Sequence, residues 1–287
     1  MAAKLQGFAV HFFDWTALHK EQHVNKALEH VPAYTSKTTA LLRCPVLYHS
    51  FYEKLRAGLL SKNIELLNDT KSYIMGATPY NVFALGELLP KTLLLNKLEN
   101  EKTAAEKIKA AFLPNTRLML KDYFSSAKYT REHPWDILNA GDIGSILKGL
   151  REFKKQKGLV KGGIVVSEFK ELKELVPFAL PFSKSQRVYE EYRLFFVDGR
   201  LLQVGSYFEE LIGADLGNVL SREELETLAK IGARVSRTRF FSLDVARQKD
   251  EKITIIETNA GETSGLPIGK YTHDFYKSLA KISDQIR

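Results

Sequence analysis

Asp244, Glu257 and Asn259 are the side chains of this sequence best placed to do chemistry, and all three lie in RFFSLDVARQKDEKITIIETN (239–259). The segment reads as a β-hairpin. A turn centred on Asp250-Glu251 sets Asp244 opposite Glu257 and Ser242 opposite Asn259. Residues two apart share a strand face, and directly opposed Cβ atoms lie about 5 Å apart. Two carboxylates at that distance repel by ~3 kcal/mol at an effective dielectric of about 20. Within a packed ribbon of Phe240, Leu243, Val245, Ile253, Ile255 and Ile256, that repulsion calls for a partner. A hard divalent cation supplies one through carboxylate and amide oxygens. Magnesium, which takes few protein ligands and completes its shell with phosphates, fits best. Ordinary carboxylates on a wet strand face are the other reading of the same residues.

Other residues can serve such a centre. Lys121 closes the apolar run RLML and precedes the small polar loop DYFSSAK, which offers Lys128 as a second base. A lysine there is a phosphate ligand or a solvated surface residue. Glu191 and Arg193 share a strand face with Tyr189 and Phe195. That pattern reads as a structural ion pair, or as an arginine whose planar donors meet a phosphate or carboxylate. In GETSGLP (261–267), Gly261 and Gly265 allow backbone to approach a substrate, or simply make a flexible turn.

Two scaffolds must hold these side chains. In the first, CPVLYHS (44–50) reads as a short buried strand and TSKTT (35–39) as a loop. FYEKLRAGLLSKN (51–63) reads as a helix with Phe51, Leu55, Leu59 and Leu60 on one face, and IELL (64–67) as a second strand. Strand, helix, strand in that order belongs to a parallel sheet. Pro79 and Pro90 close elements, and ENEKTAAEKIKAAF (99–112) reads as a solvent-facing helix ended by Pro114. The pattern then changes. RLMLKDY (117–123) and GGIVVSEF (162–169) are strands flanking the helix DIGSILKGLREFKKQKG (142–158), with Gly158 as its cap. VYEEYRLFFVDGRLLQVGSYF (188–208) is a hairpin on Asp198-Gly199. SREELETLAKIGARV (221–235) is a helix opened by the Ser221/Glu224 capping box, and the stretch after Gly269 is helical. The expected fold class is mixed, α+β with α/β character: an N-terminal α/β lobe over 1–115 and an antiparallel-sheet module with helices over 116–287.

Composition narrows the function classes. A chain of 287 residues buries about three quarters of its unfolded surface and needs no disulfide or metal to fold. The lone Cys44 excludes an internal disulfide, and the seven His show no HExxH spacing, which disfavours a zinc enzyme. No apolar run reaches the ~18–20 residues of a membrane helix, and MAAKLQGFAVHFFDW is a poor secretory signal. A soluble cytoplasmic protein is therefore expected. The net charge of +8 admits anionic partners. Base-stacking surfaces interleave aromatics with Lys and Arg, whereas these aromatics alternate into strand cores and KGLREFKKQK (148–157) shares a helix with a buried face. A basic nucleic-acid-binding module is thus kept only as an alternative.

The order and spacing of four blocks resemble the ATP-grasp superfamily: Lys121 at a strand end, IVVSEF (164–169), EYRLFFVDGR (191–200) and SLDVA…TIIETNAGETSGLP (242–267). Within it the chain resembles the clade named for its arginine-to-lysine replacement. The resemblance implies an ATP-grasp fold, two antiparallel-sheet lobes with nucleotide between them, preceded by a smaller lobe. It implies ATP and Mg2+ as cofactors, with Asp244, Glu257 and Asn259 similar to the metal ligands and Lys121 similar to the lysine on the ATP phosphates. Glu168 and Phe169 match the hinge contacts of adenine, and Arg193 matches an arginine facing phosphate or intermediate, with Glu191 beside it. His49 stands where an arginine is expected, a departure from the pattern. The implied activity is an ATP- and magnesium-dependent ligase that joins a carboxylate to an amine (or thiol) through an acyl phosphate, its substrates small molecules or peptides. The alternatives are a degenerate ATP-grasp protein that binds nucleotide without turnover, and a nucleotidyl-transferring ligase. The latter requires K-x-D-G, which Lys121 (KDYF) lacks.

Overall fold

The parallel strand–helix–strand unit is present, but its first strand comes earlier than expected. The computed structural model describes residues 1–20, 23–96, 99–124, 136–180, 183–208, 220–266 and 270–286. Strand β1 (Thr38–Ala40) pairs in parallel with β2 (Ile64–Leu66) through the helix His49–Leu60. TSKTT thus supplies the strand, and 44–48 is irregular. The backbone of that segment has partners elsewhere. Cys44 N–H donates to Glu262 O (3.0 Å), and Tyr73 Oη both accepts from Leu47 N–H and donates to Leu47 O (2.9 Å each). The helix buries Tyr52, Leu55 and Leu59, while Phe51 is half-buried and Leu60 is exposed.

Strands β3 (Thr92–Asn96), β4 (Leu118–Asp122), β5 (Asp136–Ile137) and β6 (Gly163–Glu168) form an antiparallel sheet in the order β3-β6-β4-β5. One face, with Leu95, Leu118, Leu120, Ile164 and Val166, packs on the helices Glu101–Ala111 and Ile143–Lys157. The first helix therefore buries Ala104, Ala105 and Ile108 rather than lying wholly in solvent. This one sheet and core run across residue 115, because β3 and the 101–111 helix precede it. The basic cluster on the second helix is largely paired internally: Arg151 and Lys154 meet Glu101, and Lys157 meets Asp122.

A hairpin follows, β7 (Glu174–Leu180) and β8 (Ser183–Tyr189). The second antiparallel sheet contains β9 (Glu191–Val197), β10 (Arg200–Ser206), β11 (Phe240–Arg247) and β12 (Ile253–Ala260), in the order β10-β9-β11-β12. Asp198 (φ 48°) and Gly199 (φ 73°) both adopt the left-handed conformation that a tight two-residue hairpin requires. The rear of the sheet, with Tyr192, Leu194, Phe196, Leu243, Val245 and Ile255, shares a core with Leu228 and Ile231 of the helix Arg222–Ala233. Gly232 is needed there, since an added Cβ would meet the Phe196 ring at 2.2 Å. On the front, Phe195, Val197 and Phe240 lie under Phe275 and Leu279 of the helix Lys270–Ile286. Among the described residues no helix is long and apolar enough to cross a membrane.

A buried polar network fastens the N-terminal lobe to this second sheet. Asn68 Nδ2 donates to Phe240 O and Glu262 Oε1 (2.8 Å each), and its Oδ1 accepts from Arg239 N–H (2.9 Å) and Phe240 N–H (3.0 Å). Tyr52 Oη donates to Glu262 Oε1 at 3.2 Å, while Glu262 Oε2 has no hydrogen-bond partner among the described residues. Burial pushes the Glu262 carboxyl up from 4.5 to about 7, against the pull of Asn68, Tyr52 and Arg43. The folded chain therefore holds this proton more tightly than the unfolded chain. The resulting stability is complete below pH ~4.5 and disappears as pH rises through about 7, an effect of about 3 kcal/mol. Glu262→Gln should remove that component: between pH 4 and 8 the urea midpoint of the wild type should fall relative to the variant's, and parallel curves would contradict it.

Candidate active site

Arg193, Asp244 and Glu257 stand side by side on three adjacent strands. Asp244 is opposite Arg193 of β9 on one side and Glu257 of β12 on the other, and Ser242 is opposite Asn259. The turn itself does not produce this register. Arg247 faces Ile253 and Gln248 N–H donates to Lys252 O, so the turn centres on Asp250 and alone would bring Ile256 opposite Asp244. A β-bulge between Asp244 and Val245 absorbs Ile256 as an extra residue and moves Glu257 into that place.

The repulsion expected between the two carboxylates is relieved in the structure by the protein's own cations. Arg193 Nε and Nη2 donate to the two Asp244 oxygens at 2.7 Å each, a fork matched to the carboxylate, and Asn259 Nδ2 donates to Asp244 Oδ2 at 3.2 Å. The Asp244 side chain is fully buried and that of Arg193 is 12% exposed. Burial alone would lower the Arg193 pKa, but Asp244, Tyr207 and Glu257 outweigh it and leave it raised. The guanidinium carbon also lies 4.6 Å from the Tyr207 ring centroid. Lys121 reaches Glu257 from the other sheet, Nζ to Oε2 at 3.4 Å.

That contact joins one face of each antiparallel sheet. In the first sheet Lys121 is opposite Val165 and Met119 opposite Ser167, on the side away from the helix-covered core. Leu94 and Thr92 complete this face opposite Val165 and Ser167, with Thr92 Oγ1 and Ser167 Oγ 3.0 Å apart. Leu94 and Met119 are half-buried. Glu168 is opposite Leu118, so its side chain belongs to the other face, and its carboxylate pairs with Lys170 at 3.0 Å. The backbone N–H groups of Glu168 and Phe169 already donate to Lys91 O and Arg117 O, and the Phe169 ring lies 3.9 Å from the Arg117 guanidinium. The structure therefore brings together Lys121, Arg193, Asp244, Glu257 and Asn259. Glu191, buried opposite Ala246, flanks them, and the Glu168 side chain is directed elsewhere. Lys128 lies outside the described residues. A cavity of about 830 Å3 lies on the Glu168 side, lined by Lys91, Lys170, Glu224, Arg247, Lys252 and Thr254 among others, and by none of the five clustered residues.

Sequence reasoning missed the apolar wall of Leu94, Met119 and Val165, because alternation in β3, β4 and β6 marks a second buried face without saying what covers it. It also missed Arg43, which donates to Gly261 O and Ser264 O in the loop after Asn259. No motif flagged Arg43, because its partners are main-chain carbonyls more than two hundred residues away.

Among the described residues no cluster of three or more His, Cys, Asp and Glu side chains is arranged to hold a metal ion. Two adjacent carboxylates with an amide oxygen fit a cation that draws its remaining ligands from phosphate and water, as magnesium does. They do not make an all-protein cage.

Two antiparallel sheets, with a lysine on one facing a carboxylate ribbon on the other, define the ATP-grasp class. The chain belongs to family 3 of the arginine-to-lysine clade of ATP-grasp domains, whose model matches residues 95–279. D-cycloserine synthetase DcsG is structurally similar, with a TM-score of 0.61 at 11% identity, over 98% of this chain and 92% of that one. The ATP-grasp ligase PsnB, complexed with minimal precursor, Mg and ADP, gives 0.53 at 12% identity over 100% and 92%. A RimK domain ATP-grasp protein from Sphaerobacter thermophilus DSM 20745 gives 0.51 at 14% identity over 85% and 80%. No curated protein sequence matches the chain.

The two ion pairs differ in burial and should differ in energy. Asp244→Ala leaves a nearly buried guanidinium without its carboxylate and should destabilise by about 3–5 kcal/mol. Glu257→Gln breaks a pair that is about one-fifth exposed on each side and should cost under about 1 kcal/mol. Urea unfolding of both variants checks this; equal losses would contradict it.

Proposed function

We propose that the protein is an ATP- and magnesium-dependent ligase that joins a carboxylate to an amine, with Lys121, Arg193, Asp244, Glu257 and Asn259 at its active centre. The observation that carries this reading is the contact of Lys121 with Glu257 between the two sheets, beside the buried Arg193–Asp244 pair. Phosphoryl transfer asks little covalent work of a protein and much charge stabilisation. Lys121 would hold phosphate oxygens from one wall, and Arg193, fixed by Asp244, would face the acceptor carboxylate and the acyl phosphate made from it. Asp244, Glu257 and Asn259 would hold magnesium, which when bound neutralises phosphate charge and fixes its orientation. The half-buried Leu94 and Met119, beside the buried Val165, would contact the base, taking the place expected of Glu168. Membership of an ATP-grasp family supports ATP as the phosphoryl donor, and the PsnB complex with Mg and ADP supports the metal. The substrates would be small molecules or peptides, in keeping with a synthetase of D-cycloserine and a ligase bound to its minimal precursor among the structural neighbours.

Two substitutions test the reading. Glu257→Gln should abolish ADP formation while the fold stays intact, and normal turnover would remove the metal role. Lys121→Ala should weaken Mg·AMPPNP binding at least tenfold by calorimetry, and wild-type affinity would remove its phosphate role.

A further inference from the structure

Two guanidinium groups donate to the same short loop. Arg193 Nη1 donates to Gly265 O at 3.4 Å. Arg43, from the N-terminal lobe, donates to Gly261 O and to the adjoining carbonyl, Ser264 O. Neighbouring carbonyls belong to residues whose Cα atoms are about 3.8 Å apart, so the two cations are held close together. The Arg43 guanidinium carbon lies 5.8 Å from the ring centroid of Phe195, two residues along β9 from Arg193 on the same face. Ser264 Oγ in turn meets Ser242 Oγ at 2.7 Å, on the strand that carries Asp244.

The two arginines differ in how their charge is balanced. Asp244 neutralises Arg193, whereas Arg43 forms no ion pair among the described residues and hydrogen-bonds only neutral carbonyls. Glu262 acts on Arg43 through space, while its Oε1 accepts from Asn68 and Tyr52. Burial lowers the Arg43 pKa most; Tyr276, Glu262 and Cys44 pull it back in part, and the charge of Arg193 adds to the lowering. An unneutralised cation beside a second cation raises the local potential and favours an incoming anion. Gln203, opposite Phe195 on this face, adds an amide whose nitrogen and oxygen have no hydrogen-bond partner among the described residues.

We propose that Arg43 and Arg193, around the Gly261–Gly265 loop, form an oxyanion subsite that holds the acid substrate's carboxylate and then its acyl phosphate, so that the N-terminal lobe contributes directly to acid recognition. This rests on the ligase reading above and assigns a substrate-binding role to a lobe outside the family match. Such a subsite takes an acid by its charged end and leaves the remainder of the acid to other residues.

Arg43→Gln and Arg43→Lys test the assignment. Glutamine keeps donors for the loop carbonyls but removes the charge, while lysine keeps the charge but loses the fork. Inorganic phosphate, the probe, is titrated calorimetrically into the Mg·ADP-loaded protein and, separately, into nucleotide-free protein. Arg43→Gln should lose at least tenfold in phosphate affinity with Mg·ADP affinity unchanged, and Arg43→Lys should stay within a few-fold of wild type. Equal phosphate affinity in wild type and Arg43→Gln, or parallel loss of phosphate, Mg·ADP and thermal stability, would overturn the subsite. If the wild type binds no Mg·ADP, the ligase reading fails, and the nucleotide-free titration still decides whether the paired arginines bind an oxyanion.

Discussion

A fully buried carboxylate on a central β-strand is the constraint from which the rest of the site follows. Asp244 has strands on both sides and a fully buried side chain, so its charge must be met by neighbours on the ladder. Arg193 does so through two parallel bonds and is itself immobilised. A fixed guanidinium, with a bulge that brings Glu257 alongside, turns one face of an otherwise apolar sheet into a polar strip. The C-terminal helix covers the apolar half of that face at Phe195, Val197 and Phe240, and the charged half faces the first sheet.

The same strip explains why three parts of the chain converge at one place. Lys121 arrives from β4 and the Gly261–Gly265 loop continues directly from β12. The N-terminal lobe is fastened through Asn68, Tyr52 and Arg43 to that loop and to the strand end at Phe240. Every one of these contacts is polar and largely enclosed. In a low-dielectric interior such bonds are strong when satisfied and costly when broken, so the lobes are held in register by directional bonds as well as by packing. The raised Glu262 pKa reflects the cost of enclosing that network.

Much of this is legible from residue patterns. The hairpin at 198–199, the pairing of 240–247 with 253–260, the capping box at Ser221 and the 142–158 helix follow from local chemistry, and the structure has them. The facing of Asp244 and Glu257 is legible too, although the bulge at Ile256 rather than the turn sets it; a single unpaired residue leaves no compositional trace. What residue patterns do not carry is whatever depends on distant partners. CPVLYHS looks like a strand because it is apolar, but Tyr73 and Glu262 take up its backbone groups. The 99–112 helix looks solvated because Ala104 and Ala105 are small, yet their size is what allows close packing on the sheet. Arg43 is invisible because its partners are carbonyls, and carbonyls carry no sequence signal. The side of the sheet taken by Glu168 follows from a one-residue parity that a strand boundary blurs.

The strip between Lys121 and Asp244 is the proposed meeting place of nucleotide and cation. A crystal structure with Mn2+ and AMPPNP tests it most directly through the anomalous signal of the manganese. The metal should lie within about 2.5 Å of carboxylate oxygen from the Asp244–Glu257 pair, with the triphosphate extending toward Lys121. Nucleotide and metal found instead in the cavity beside Arg247 and Lys252, with Lys121 still on Glu257, would contradict it.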